Sequence, residues 1–191
     1  MGFSRQLTLS ARTSVWISLP TGSELRKLFI NAKSAVRISS SAEISVVSFN
    51  HRYATGDSTV VFPKEELGTN YFVFTPEGGP PSMNKQLAIV NGDSRNQIAI
   101  TPGANVILMG GTRWSHDRVV TITLEPFASY LVLSRASLSG TQIRSKHPVA
   151  VLAGHQCLYM GRGCDHVYEQ LPPVASLGKE YVVPMSSHRA L

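Results

Sequence analysis

Two histidines and both cysteines of the chain fall in one short stretch, in the order His155, Cys157, Cys164 and His166. Imidazole and thiolate groups are common zinc ligands in proteins. A cysteine beside a histidine can also act as a nucleophile, and two cysteines on one hairpin can form a disulfide. The stretch therefore has three candidate chemistries: a metal site, a nucleophile and a covalent cross-link.

The spacing of the two cysteines favours the disulfide. An apolar run at 148–153 predicts a strand, the sequence Met-Gly-Arg-Gly at 160–163 predicts a tight turn, and a second arm returns through 165–171. Paired positions on antiparallel strands can bring two Cα atoms within the roughly 4.4–6.8 Å that a disulfide needs. Closing so short a loop would stabilise the fold by about 2–3 kcal/mol.

The other interpretations of the cluster stay open at this point. The one-residue spacing within each His/Cys pair is narrower than in most structural zinc sites, although neighbours at that spacing share one face of a strand. Nothing near the cysteines resembles the strand-to-helix turn that presents a nucleophile, so catalysis is the less favoured alternative. Two buried free thiols are the remaining possibility.

Acidic and histidine side chains flank the cysteines. Asp165 and Glu169 lie four residues apart, on one face of a strand, so a carboxylate pair for acid–base chemistry is conceivable. We expect instead that Glu169 and Gln170 bond to the backbone of the following Pro-Pro turn. We also expect His155 and His166 to pack over the disulfide as cross-strand neighbours rather than to bind a metal.

Three residues are candidate partner contacts: Arg113, Trp114 and Arg162. Arg113 and Trp114 lie in a loop between predicted strands, and an exposed Trp-Arg pair suits a binding hot spot. An aromatic ring folded back onto the core is the favoured alternative for Trp114. Arg162 lies in the predicted hairpin turn. Trp16 lies in a strand-like run with Ile17, Ser18 and Leu19 and is predicted to belong to the core.

Short β-type runs separated by Gly, Pro, Asn and Asp extend along the whole chain, which indicates an all-β fold of sandwich type. Only 64–67 and 174–177 could form short helical turns. The predicted strands are 14–19, 27–30, 36–38, 43–49, 58–62, 71–74, 86–90, 97–101, 105–109, 119–124, 129–133, 141–144, 149–153, 167–171 and 181–183.

The composition agrees with an extracellular β protein. The 191 residues include 16% charged residues, which is low, and no apolar run is long enough to span a membrane. The net charge is +6, but the basic residues are scattered, which argues against a nucleic-acid partner and leaves a weak attraction to anionic glycans. The N-terminus has no signal peptide, so we expect an incomplete sequence.

The two halves of the chain look duplicated. Residues 44–50 align with 149–155, and 63–71 align with 173–181, in the same order in both copies. This predicts two tandem β-sandwich-like repeats of short antiparallel strands: a first repeat at 1–75, a Pro/Gly linker at 76–84, and a second repeat at 85–191 that carries the cysteine hairpin. The alignment offset jumps between Ile38 and Glu43, so the first repeat is predicted to lack about one strand.

The stretch 138–155, both cysteines and the runs 164–173 and 177–184 together resemble the N-terminal domain of the IgG Fc-binding protein family. The motif residues of that resemblance are Gly154, His155, Asp165, His166, Glu169, Gln170 and Leu171. The family domain continues beyond Pro184, so the second repeat is expected to be truncated relative to it.

The resemblance implies a secreted, mucus-associated protein without catalytic activity or a cofactor. It implies a protein partner, either IgG Fc or a mucin or matrix glycoprotein, and a role in binding or adhesion. A basic glycan-binding module and a zinc-dependent protein that uses His155, Cys157, Cys164 and His166 are the alternatives.

Overall fold

The computed structural model describes residues 3–21, 24–25, 27–52 and 55–183, and these residues form an all-β structure of antiparallel sheets, which confirms the all-β part of the predicted fold class. Short 3₁₀ helices occupy Lys64–Glu66 and Val174–Ser176, where helical turns were predicted. The strands are β1 (Phe29–Asn31), β2 (Val47–Arg52), β3 (Thr55–Val60), β4 (Gly68–Phe72), β5 (Lys85–Asn91), β6 (Asn96–Thr101), β7 (Val106–Ile107), β8 (Arg113–Trp114), β9 (Val120–Leu124), β10 (Ser129–Ser134), β11 (Gln142–Met160) and β12 (Gly163–Gln170).

The main sheet is antiparallel and is organised around β11. Its strands follow the order β1-β10-β5-β11-β6-β9, and both β12 and β4 also pair with β11. The hairpin β2–β3 and the short pair β7–β8 form separate two-stranded sheets. The long central strand thus connects the cysteine hairpin to the core.

The strands that pair with β11 change near Pro148. Residues 142–145 pair with β6, whereas 149–155 pair with β5. Proline has no backbone N–H to give to a ladder. Beside this proline, the side chain of Asn96 makes the hydrogen bonds to the backbone of β11. Its Oδ1 accepts from the N–H of His147 at 3.0 Å, and its Nδ2 donates to the C=O of His147 at 2.9 Å. The strands predicted at 141–144 and 149–153 are therefore one strand.

The hydrophobic core is formed by the buried faces of these strands. In β6 the buried residues alternate with exposed ones, as expected for a strand with one covered face, whereas most of β5 and β10 is buried. The largest fully buried side chains are Trp114, Tyr71, Leu87, Ile89, Ile98, Ile100, Leu124, Leu138, Ile143, His155, Val132 and Val149.

Two turns of the chain, at 63–71 and 173–181, have the same geometry. Each begins with a proline, forms a 3₁₀ helix, and passes through Leu-Gly to a tyrosine. In the first turn the N–H of Gly68 donates to the hydroxyl of Tyr71 at 2.8 Å. In the second, the N–H of Gly178 donates to the hydroxyl of Tyr181 at 2.6 Å. The aligned residues therefore make the same hydrogen bond.

Strands from both predicted repeats belong to the main sheet. From the first half, β1 pairs with β10 and β4 pairs with β11. The linker predicted at 76–84 lies against the second half, since Gly79 contacts His155. The division into repeats at 1–75 and 85–191 stays a prediction about internal duplication, and residues 184–191, including Pro184, lie outside the described residues.

Three predicted strands do not form in the structure. Residues 14–19 and 36–38 are in no strand, nor are 181–183. Trp16 is 80% exposed and meets Phe49 edge-on, with ring centroids 5.9 Å apart, so its assignment to the core was wrong. An alternating pattern marks a face that could be buried, but a strand also needs a neighbour with which to pair.

Candidate binding site at the disulfide hairpin

A disulfide joins Cys157 to Cys164 across the β11–β12 hairpin, with the two Cα atoms 5.0 Å apart. Gly161 begins the two-residue turn with φ +62°, a conformation that glycine adopts without strain. The cysteines are not directly opposite, because Cys164 pairs with Tyr159 and the register shifts between His155 and Leu158. The bulge at 156–157 thus places Cys157 diagonally across from its partner.

Of the three candidate chemistries of the cysteines, the structure forms the disulfide. Metal binding and nucleophilic attack both need a thiolate, and neither sulfur is free while the disulfide is intact. Within the part of the chain that the structure describes, no group of three or more His, Cys, Asp or Glu side chains is placed to hold a metal ion. The cysteines therefore brace the hairpin.

His155 is buried at the base of the hairpin and is 1% exposed. Its Nδ1 atom accepts a hydrogen bond of 3.0 Å from the N–H of Cys157, so the ring helps to hold the bulge. Gly79 packs against the ring so closely that an added Cβ would lie 2.5 Å from the ring atom Cε1 of His155. This histidine is a structural part of the hairpin base.

A buried lysine lies beside His155 in the sheet. Lys85 is the register partner of His155, and its Nζ bonds to Glu77 at 3.0 Å and to the carbonyl of Arg135 at 3.1 Å. Burial lowers the pKa of His155, and the positive charge of Lys85 lowers it further, while Glu77 opposes them. Hydrogen bonds from Ser137 and Lys85 lower the pKa of Glu77. The surroundings thus favour a neutral imidazole.

His166 lies against the β2–β3 hairpin, called the first hairpin below, and it is not the cross-strand partner of His155. Its ring stacks on Tyr168, with centroids 5.5 Å apart, and its Nε2 lies 3.2 Å from Nδ2 of Asn50. Burial lowers the pKa of His166, and the nearby carboxylate of Asp57 opposes this. The expectation that the two histidines are cross-strand neighbours was wrong, because the register pairs His155 with Val167.

A ladder of side-chain hydrogen bonds attaches β3 to the outer edge of β12. Alternate residues of β3 offer side-chain oxygens, and alternate residues of β12 donate their backbone N–H groups to them. The bonds are His166 to Thr55 Oγ1 at 2.8 Å, Tyr168 to Asp57 Oδ2 at 2.9 Å, and Gln170 to Thr59 Oγ1 at 3.0 Å. The first hairpin thereby covers an edge that would otherwise present unpaired donors.

Glu169 and Gln170 also contact the first hairpin rather than the Pro-Pro turn. The hydroxyl of Thr59 donates to Glu169 at 2.6 Å, and the N–H of Phe62 donates to the side-chain oxygen of Gln170 at 3.3 Å. These contacts join residues more than 100 positions apart, so no local pattern predicts them. Glu169 therefore has a structural partner. Asp165 pairs with Leu158 nearer the hairpin tip.

Gly154 and Leu171 complete the base of the hairpin. A Cβ on Gly154 would lie 1.9 Å from the carbonyl oxygen of Val167, so the close approach of β12 requires glycine there. Leu171 packs against the core, and its N–H donates to the carbonyl of Val151 at 2.8 Å. Of the motif residues, Gly154, His155, His166, Glu169, Gln170 and Leu171 thus have structural contacts that shape or anchor the hairpin.

The tip of the hairpin presents large side chains to solvent. Tyr159 is 58% exposed and Met160 is 44% exposed, and Arg162 is exposed in the turn between the strands. Tyr, Met and Arg are enriched in protein–protein interfaces. Sequence reasoning identified Arg162 but missed Tyr159 and Met160, although Met160 lies in the predicted turn and Tyr159 directly before it.

The other predicted contact residues lie elsewhere. Trp114 is 2% exposed and belongs to the core, so the structure contradicts its assignment as a surface contact. The alternation in β8 explains this, because Trp114 faces inward and Arg113 is exposed. Arg113 and Arg162 lie on different elements.

Comparisons with known proteins agree with the hairpin motif. The family described as IgGFc binding protein matches residues 57–190 of the chain. The chain is 34% identical to the human (Homo sapiens) IgGFc-binding protein over 183 residues, which is 95% of this chain. The chain belongs to the IgGFc-binding protein family. The matched region of this family member runs from within β3 through β12 and includes the whole cysteine hairpin.

The similarity covers a small part of the human relative. The matched segment is 3% of that protein's length. No solved structure matches the chain significantly. The described residues also contain no helix with the length and apolar character that a membrane crossing requires.

Proposed function

We propose that this chain is a non-enzymatic, extracellular protein-binding module whose contact surface is the exposed tip of the cysteine hairpin. The observation that carries the proposal is the solvent-exposed set Tyr159, Met160 and Arg162 at the end of a disulfide-braced hairpin. A braced loop loses little conformational entropy when it binds, so its side chains can serve as anchors.

The disulfide supports the location. Disulfides persist in oxidising compartments and are rare in the cytosol. The bond at the hairpin therefore favours a secreted protein, as does membership of a family named for binding to IgG Fc. The proposed setting is the extracellular space, in particular mucus, where the module would contribute to adhesion.

The proposed partner is a protein, with IgG Fc as the first candidate because the name of the human relative states that contact. A mucin or matrix glycoprotein is the second candidate within the same class. The hairpin base supports a protein partner over a reaction, since most of its polar groups are engaged in hydrogen bonds that hold the fold.

An anionic glycan is a separate candidate, favoured by one observation. A depression of ≈ 330 Å³ near β6 and β9 is lined by Arg144 and Lys146 together with Gln97, Ala99, Thr121 and Ser145. Two cations beside amide and hydroxyl groups suit a sulfated or sialylated sugar. The net charge of +6 would add long-range attraction.

We also propose that the chain consists of two tandem repeats, at 1–75 and 85–191, joined by 76–84. The matching turns at 63–71 and 173–181 support this, because aligned residues form the same 3₁₀ helix and the same glycine-to-tyrosine hydrogen bond. In this arrangement β4 belongs to the first repeat and pairs with β11 of the second repeat.

Partner screening of the secreted, non-reduced chain tests the proposed function. The chain would be passed over immobilised IgG Fc, a purified mucin and a heparin-type polyanion, each at low and at physiological salt. Saturable binding to Fc or mucin that survives physiological salt is expected. Retention on the polyanion alone, lost as salt rises, would replace the protein partner with the glycan. Binding to none of the three would contradict the proposal.

A further inference from the structure

One exposed face of the main sheet is polar and contains no acidic residue. It is formed by β4, the first part of β11 (142–146), β6 and β9, which lie side by side. Residues that pair across an antiparallel ladder share a face of the sheet, so Asn70, Arg144, Ala99 and Thr121 form one row. We call this surface the polar face. The four segments that form it contain neither Asp nor Glu.

Arg144 is an exposed cation of the polar face, and its guanidinium is held in place. In the orientation that satisfies its neighbours, the amide oxygen of Gln142 accepts hydrogen bonds from Nη2 and Nε of Arg144, at 3.2 and 3.3 Å. A guanidinium has more N–H donors than these bonds use, so the remaining donors can meet a ligand. Lys146 lies two residues further along β11. The ion pairs among the described residues involve other side chains, so both cations are available.

The depression of ≈ 330 Å³ opens beside these two cations. Ligand pockets begin at about 300 Å³, so the space suits a small group such as one sugar ring. Gln97, Ser145 and Thr121 line it with amide and hydroxyl groups, which can exchange hydrogen bonds with the hydroxyl groups of a sugar. The cations would meet an acidic group on that sugar, because a guanidinium binds oxyanions through strong, paired hydrogen bonds.

Phe72 gives the polar face an apolar border. Its side chain is 53% exposed and lies opposite Gln142 in the β4–β11 ladder. Phe74, two residues further along the chain, is 66% exposed. Side chains in diagonal positions of a ladder lie about 7–8 Å apart, so one ligand can reach both Phe72 and Arg144. The C–H face of a sugar ring can pack on an aromatic ring, whereas a bare sulfate or phosphate ion has no apolar surface to offer.

We propose that the polar face binds a terminal acidic sugar of a glycan. Its anionic group lies on the guanidinium of Arg144, its ring packs against Phe72, and Lys146 adds a second positive charge. The inference deepens the glycan candidate of the proposed function and rests on it, but it does not involve the hairpin tip. The chain would then have separate surfaces for a polypeptide and for a glycan.

Saturation-transfer NMR of the full, non-reduced chain at physiological salt tests the proposal. The probes are sialyllactose, lactose that is sulfated on its galactose, and unmodified lactose. At least one acidic probe should bind saturably, and lactose should bind roughly tenfold more weakly or less, because it cannot form charge-assisted hydrogen bonds. The acidic probe that binds identifies the anion as a carboxylate or a sulfate. Equal binding of lactose, or no binding of either acidic probe, would overturn the proposal.

Variants of the polar face test the location of the site. Arg144→Ala should weaken the acidic sugar by roughly tenfold or more, and Arg144→Lys should restore only part of the loss, because an ammonium lacks the planar fork. Phe72→Ala should also weaken binding. Arg37→Ala removes an exposed arginine outside the four segments and is the matched control, which should bind like the original chain. Unchanged binding in Arg144→Ala, with the fold verified by thermal denaturation, would overturn the site.

The sugar titration and the protein screen fail independently. A hairpin tip that binds no protein leaves the sugar signals unchanged, because the probes contain no polypeptide. A silent sugar titration overturns the polar face as a glycan site and leaves the proposed contact at the hairpin tip standing.

Discussion

The hydroxyl of Thr59 accepts a hydrogen bond of 3.0 Å from the backbone N–H of Gln170. This bond joins the first hairpin to β12, 111 residues further along the chain. The same hydroxyl donates to Glu169 at 2.6 Å, and Thr59 is only 3% exposed. One buried group therefore satisfies a donor and an acceptor of β12. The two hairpins depend on each other through such bonds.

Thr59→Val should lower the free energy of unfolding by about 1–3 kcal/mol, because it leaves the buried N–H of Gln170 without a partner at nearly constant volume. Chemical denaturation measures the change. Thr59→Ser is the matched control, since it keeps the hydroxyl, and it should cost clearly less. No loss of stability in Thr59→Val would show that the hydrogen bonds of this hydroxyl to β12 do not stabilise the fold.

Gly154→Ala should destabilise the hairpin by about 1–3 kcal/mol or more, because the new methyl group would overlap the carbonyl of Val167. Gly163→Ala changes a glycine of the same hairpin with no atom within 4 Å of the added group. The thermal midpoint of Gly154→Ala should fall well below that of Gly163→Ala. Matching midpoints would refute the close approach of β12 to β11.

Loss of the disulfide should lower the free energy of unfolding by about 2–3 kcal/mol, because the cross-link limits the unfolded chain. The double variant Cys157→Ala/Cys164→Ala would be compared with the oxidised chain in denaturant. Intact mass with and without alkylation reports the bond itself. Two thiols that react with the alkylating agent in non-reduced, folded protein would contradict the account of the hairpin.

Stability should fall as the pH drops through about 6.5, the ordinary pKa of histidine. Burial and Lys85 lower the pKa of His155 in the folded chain, so the unfolded chain binds more protons in this range and acid favours it. Burial lowers the pKa of His166 in the same direction, although Asp57 and Asp165 oppose it. The stabilising contribution of these neutral histidines is therefore fully present above the pKa of histidine in the unfolded chain, and it is lost as the pH falls through their lower pKa in the folded chain.

Denaturation between pH 5 and 8 would measure this slope. His155→Gln should flatten it, since the glutamine does not titrate and its oxygen can accept the N–H bond of Cys157. His116→Gln, at an exposed position, is the control and should keep the slope of the original chain. An unchanged slope in His155→Gln would mean that the acid sensitivity arises elsewhere, for example at His166, whose pKa is also lowered.

Local patterns predicted the local features of the fold. The Leu-Gly turns after Pro63 and Pro173 appear as 3₁₀ helices at the predicted positions, and the glycines at 161 and 163 mark the hairpin turn. The cysteine spacing indicated the disulfide. These features depend on a few neighbouring residues whose backbone preferences are strong.

Features that depend on distant partners could not be predicted in this way. The bulge at 156–157 shifts the register and separates His155 from His166. A prediction from the alternation of residues along a strand assumes a regular ladder, so it misses this shift. The contacts of Thr59 with β12 join residues that no motif links. Trp16 shows the opposite case, where a strand-like pattern finds no neighbour and the ring stays exposed.

A binding titration of tip variants tests the proposed contact between the exposed hairpin tip and a protein partner. Tyr159→Ala/Arg162→Ala removes two exposed side chains without touching the disulfide, and Arg113→Ala removes an exposed arginine outside the hairpin. Against the partner that the screen identifies, with IgG Fc first, the tip variant should bind at least tenfold more weakly, and the control should bind like the original chain. Equal affinity of all three would contradict the claim and move the contact surface away from the hairpin.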